Sequence, residues 1–151
     1  MSTSAEVLQK VESAFASVAK PEHFTNHLHC EECEEHDSTL RGNDRSTLSL
    51  EHVGNPGWDP ICHCSPLGKA YYLPSLVRLA LQPHSSYWQQ LLFHLEGNGS
   101  GNELILFCSE IQREAVASFL EHLLASRTKE IEQCNCVDEL LRTHGYWAAA
   151  A

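Results

Sequence analysis

The sequence predicts an all-α protein: a single domain built as a compact array of about five to seven helices around a Pro/Gly-rich loop. Three observations lead there. Apolar residues recur at steps of three and four along most of the chain, and no segment shows a convincing period-two alternation. Proline and glycine gather between those stripes rather than within them. The chain has 151 residues, 42% hydrophobic and 20% charged, which suits one ordinary core and not a disordered polymer.

The first stripe is Val7, Val11, Ala14, Phe15 and Val18, with Thr3 and Glu6 placed as a capping box ahead of it. Pro21 disfavours helix at Lys20 and marks its end. Residues 24–40 are dense in His, Cys and Glu, and Gly42 is placed to terminate a helix there. A short segment from Ser46 to Val53 follows. Residues 54–66 hold three prolines and two glycines, which excludes one regular helix; Trp58 and Ile61 are expected to pin this loop to the core. Ser65-Pro66 reads as an N-cap followed by proline at the first helical position. The helix it opens, to Leu81, is apolar nearly all round and is expected to be central, with a kink at Pro74.

Tyr87, Trp88, Leu91, Leu92 and Leu95 make the next stripe, and residues 97–101 a Gly-rich turn. Residues 104–107 are expected to run extended. Ser109 with Gln112 caps a helix whose stripe runs from Ile111 to Leu124. One last amphipathic stretch is expected over 130–142, stopped by Gly145, with Trp147 docking on the core. The domain is accordingly taken as 1–147, with 148–151 a frayed or foreign tail.

Charge and composition narrow the function classes. Ten Lys and Arg against twenty Asp and Glu give a formal charge of −10, which disfavours nucleic acid as a partner. No apolar run approaches a membrane span, and residues 1–6 lack the basic and apolar regions of a signal peptide. Seven cysteines, an odd number, argue for free thiols in a reducing, cytoplasmic setting.

The densest chemistry lies in His29-Cys30-Glu31-Glu32-Cys33-Glu34-Glu35-His36. Thiolate and imidazole are the donors zinc prefers, and Cys-x-x-Cys is a common half-site. The candidate metal ligands are therefore His29, Cys30, Cys33 and His36, with zinc as the expected ion and a structural role. His29, Cys33 and His36 are related as i, i+4, i+7 on a helix; Cys30 joins them only if the segment begins as a turn. Cys62 or Cys64 on the proline loop are natural extra donors, and Cys134 and Cys136 stand in reserve. The glutamates favour a dication and disfavour a thiolate, so thioredoxin-like exchange at Cys30 and Cys33 is the weaker reading. His-Glu-x-x-His and Pro-Cys-x-x-Cys are both missing, which excludes the usual metalloprotease helix and the zinc deaminases. Arg78, in an almost wholly apolar helix, needs a partner if buried, and Asp59 is the expected one.

Residues 21–36, Gly57-Trp58-Asp59-Pro60, Tyr72-Leu73-Pro74 and Arg78-Leu79-Ala80-Leu81 together carry a likeness to known sequences. From about Phe15 to Leu124 the chain resembles an uncharacterised bacterial family catalogued only as a domain of unknown function. The resemblance implies a small bacterial helical protein and brings no activity, substrate or ligand with it. Two further functional readings stand beside the zinc one. An acidic module could meet a basic partner protein through Glu31, Glu32, Glu34, Glu35 and Asp37, without metal. A metal-dependent hydrolase would need an open coordination position and a pocket lined by Trp58, Tyr71 and Tyr72.

Overall fold

The computed structural model describes residues 2–149, and among them every regular element is helical. The α-helices are α1 (Ser4–Phe15), α2 (Glu31–Arg41), α3 (Leu50–Val53), α4 (Pro66–Leu81), α5 (Tyr87–Glu96), α6 (Glu103–Phe107), α7 (Glu110–Ser126), α8 (Thr128–Cys134) and α9 (Val137–Ala149). The all-α class holds, with more helices than expected because three of them are only one or two turns long. The proline loop carries two 3-10 turns, Pro56–Trp58 and Pro60–His63.

Local chemistry sets the principal boundaries. Thr3 Oγ1 accepts from the Glu6 amide at the start of α1, and Ser65 Oγ accepts from Gly68 at the start of α4, just ahead of Pro66. Ser109 and Gln112 form a reciprocal capping box on α7. Five helices then close a ring in which each touches two others, in the order α1, α4, α5, α9, α7 and back to α1. α4 is buried on almost every side, from Ala70 through Ala80, as its all-round apolar sequence requires. Pro74 lies within it.

Four expectations are corrected here. Residues 104–107 are not extended: Asn102 Oδ1 accepts from the Leu104 and Ile105 amides and opens α6. The stretch over 130–142 is two helices, because Asn135 takes a left-handed conformation (φ 58°) that ends α8. Gly145 does not stop α9, which continues through Ala149. A mid-helix glycine costs about 1 kcal/mol. Burying a large side chain returns more, and Trp147 is wholly buried with its indole N–H donating to Leu95 O at 3.0 Å. Ala148 and Ala149 of the expected tail are therefore helical, and 150–151 lie outside the described residues. Finally, Arg78 does not meet Asp59; its guanidinium donates to the carbonyls of Arg45 and Leu48.

The segment between α1 and α4 carries the candidate chemistry and is tied down at several points. Arg45 reaches the carbonyls of Phe15, Val18 and Tyr71 and lies over the Tyr71 ring. Tyr72 donates its hydroxyl to Leu40 O at 2.6 Å, which locks α2 onto α4. At the far end of the chain Cys134 and Cys136 are joined in a disulfide, which leaves Cys30, Cys33, Cys62, Cys64 and Cys108 free. Among the described residues neither Cys134 nor Cys136 belongs to a cluster of candidate ligands, so they do not act as reserve donors to the segment at 29–36. No described helix is long and apolar enough to cross a membrane.

Candidate metal centre

The inner face of α2 is Cys33, His36, Asp37 and Leu40, a three-four-seven stripe. Asp37 organises everything upstream. Its carboxylate is buried and accepts from the amides of Phe24 (2.6 Å) and Thr25 (3.1 Å) and from His23 Nδ1 (2.7 Å). Burial alone would push this carboxyl up. The hydrogen bonds from His23 and the two amides outweigh it and hold Asp37 below the ordinary carboxylate range. Thr25 donates its hydroxyl to Cys33 O, and Phe24 O accepts from the Ser65 amide. Residues 23–25 thus bridge α2 and the start of α4.

This anchoring delivers a turn, closed by His29 N–H to Asn26 O, into the N-terminus of α2. Cys30 is the N-cap: its backbone is extended and its Sγ accepts from the Cys33 amide at 3.4 Å. The Cys33 Sγ lies 3.7 Å from His29 Nδ1. Ligand atoms of His29, Cys30 and Cys33 all fall within 4.8 Å of one another, with His29 and Cys30 exposed and Cys33 buried. The Cys33 amide, then the His29 ring and the Cys33 thiol, lower the Cys30 thiol to about 7. The same pairing raises Cys33, with burial and the Cys30 and Glu32 charges adding to it. The expectation that the surrounding glutamates dominate both thiols is corrected for Cys30, where the helix-end amide prevails.

His36 does not join that trio. It sits a turn further along α2, about 4.5 Å of helix rise beyond Cys33, and is grouped instead with Glu32 and His63. Its ring is buried between His63 (centroids 5.0 Å, 18° between planes) and Trp58 (4.5 Å). Burial, then the neighbouring His63, lowers its pKa. Trp58 is 43% exposed, so it covers His36 rather than pinning the loop; Ile61, fully buried, does that.

The expected extra donors lie elsewhere. Cys64 is buried beneath the first turn of α4, so close that a Cβ at Gly68 would sit 2.5 Å from its sulfur, and burial pushes its thiol up to about 12. Cys62 belongs to a different group, with Asp59 and His94. Asp59 accounts for itself structurally: it accepts from the Ile61 amide, Gln90 and His94 and holds the proline loop to α5. His23 and His27 stack on each other (3.8 Å) beside Asp37, whose oxygens are already engaged. Neither of these clusters holds a buried side-chain nitrogen or oxygen without a hydrogen-bond partner.

The other two readings also change. Tyr71 and Tyr72 are core residues and cannot line a substrate pocket. A cavity of about 890 Å³ opens beside Asp59, Cys62, Tyr87, Gln90 and Phe93, away from the Cys30 trio. Of the five acids proposed as a partner surface, Glu31, Glu32, Glu34 and Glu35 are exposed, but Asp37 is buried.

Comparison with known proteins finds no family model, no curated relative and no solved structure that matches this chain. The site's own geometry therefore carries the functional reading.

The sequence signalled His29, Cys30 and Cys33 through their spacing. It also held the clue to Asp37, which falls at helical spacing on the buried face of α2 with residues 33, 36 and 40. The pairing of Glu32 with His63 had no local signal, because the two are brought together by the packing of α2 on the Pro60–His63 turn.

Proposed function

We propose that this protein binds zinc through His29, Cys30 and Cys33, and that the ion's role is structural. The observation that carries the reading is the 3.7 Å between His29 Nδ1 and Cys33 Sγ. Zn–S near 2.3 Å and Zn–N near 2.0–2.1 Å at a tetrahedral angle put such ligand atoms about 3.6 Å apart. The Cys33 amide donating to Cys30 Sγ adds to this, since it favours the thiolate that zinc needs. The ion would clip the non-helical segment 21–30 to the first turn of α2; its fourth position is open to water, but the trio lines none of the principal cavities, so a structural role is favoured over a catalytic one.

Alkylation kinetics test this with a control. In zinc-loaded protein Cys30 is expected to resist alkylation and to react once a chelator is added, with the thermal midpoint falling at the same time. Metal-free protein, alkylated with and without the chelator, is the control and should show one unchanged Cys30 rate. A Cys30 that alkylates at one rate with and without zinc contradicts the reading.

A further inference from the structure

A second cluster on α2 has the make-up of an independent metal site, and we propose that Glu32, His36 and His63 bind a divalent first-row transition ion. Glu32 and His36 are four residues apart on one face of α2, and His63 comes from the Pro60–His63 turn packed against it. Ligand atoms of all three lie within 4.8 Å of one another. Glu32 Oε2 is 3.2 Å from His63 Nε2. Bonds near 2.1 Å separate two ligands of one ion by about 2.9–3.4 Å, between octahedral and tetrahedral angles.

Proximity alone would also suit an ordinary His–Glu pair. His36 supplies the independent observation. It is 1% exposed, and its Nδ1 is buried without a hydrogen-bond partner. A buried, unpaired polar atom costs roughly 1–3 kcal/mol, and the ring contacts with Trp58 (tilted) and His63 (stacked) supply no hydrogen bond. A ring nitrogen that ligates an ion needs no such partner.

The donor set is two imidazoles and one carboxylate, harder than the thiolate trio at the tip of the same helix. Such a set takes zinc or ferrous iron and leaves further positions open. His63 and Glu32 are both partly exposed, so those positions face solvent. This site shares no residue with His29, Cys30 and Cys33 and does not rest on zinc binding there.

Equilibrium dialysis against zinc separates the two. Wild type is expected to hold two ions per chain, Cys30→Ser/Cys33→Ser one, His63→Ala one, and the triple variant none. Equal zinc in His63→Ala and wild type overturns the second site, whereas equal zinc in Cys30→Ser/Cys33→Ser and wild type overturns the first. His63 is exposed and its removal leaves the core intact, and Glu32→Gln, of matched volume, must show the same loss. In the Cys30→Ser/Cys33→Ser chain, zinc should also shift the His36 and His63 imidazole NMR signals. Unmoved signals contradict the proposal even if some zinc binds.

Discussion

Replacing Asp37 with alanine is expected to cost roughly 2–6 kcal/mol of stability at neutral pH, at about 1–3 kcal/mol for each of two buried donors left without an acceptor. Two backbone amides, at Phe24 and Thr25, lose their acceptor at once, and His23 loses its partner. Asp37→Asn should cost less, since one carbonyl oxygen remains to accept from an amide. The effect has a pH signature. Burial raises the Asp37 carboxyl, but hydrogen bonds from His23, Phe24 and Thr25 more than compensate, so its folded pKa lies below the ordinary 3.8. A lowered carboxylate pKa contributes stability above the unfolded value, and that contribution disappears as pH falls through the folded value. The gap between wild type and Asp37→Ala in urea denaturation should therefore be full at pH 7 and narrow below pH 3.8. A gap independent of pH over that range would mean the carboxylate charge contributes nothing.

The second large effect concerns the proposed ion. Cys33→Ser is expected to raise the free zinc needed to protect Cys30 from alkylation by more than about 100-fold. Changes outside the ligand shell already cost roughly 10–100-fold in metal affinity, and Cys33 is proposed as a ligand itself. It is also the geometric centre of the trio, since its amide donates to Cys30 Sγ and its sulfur faces His29. The serine keeps the backbone amide and the hydrogen bond from Thr25 to the carbonyl of residue 33. The chain should therefore stay folded, and the loss should be read in metal affinity. Unchanged protection in the serine variant would remove Cys33 from the ligand set.

Much of the fold was legible because local chemistry and burial agreed. α4 begins at Ser65-Pro66 and α7 at the Ser109–Gln112 box, both where the sequence places them. Where the reading failed, a polar side chain or a distant contact decided the matter. Asn102 and Asn135 set the start of α6 and the end of α8, roles that their residue type allows without announcing. Trp147 docks on the core as the sequence suggests, but the helix that carries it runs on through Gly145, and the contact with Leu95 some fifty positions away that favours this has no local signal.

The candidate site divides along the same line. His29, Cys30 and Cys33 are neighbours in sequence, and the expected turn into a helix is what brings them together. His36 was grouped with them on spacing alone, yet Trp58 and His63 from the proline loop draw it into separate company. Arg78 and Asp59 failed as a pair for a similar reason: backbone carbonyls satisfied Arg78, and His94 and Gln90 satisfied Asp59. Partners supplied by another segment are invisible to periodicity.

Zinc X-ray absorption on the His63→Ala chain, loaded with one equivalent of zinc, tests the central assignment most directly, because it reads the ligand atoms themselves. The expected spectrum has two sulfur scatterers at about 2.3 Å, from Cys30 and Cys33, and nitrogen or oxygen at about 2.0–2.1 Å, from His29 and water. A spectrum with no sulfur shell, only nitrogen and oxygen, would show that zinc sits elsewhere and that the thiols at the head of α2 are not its ligands.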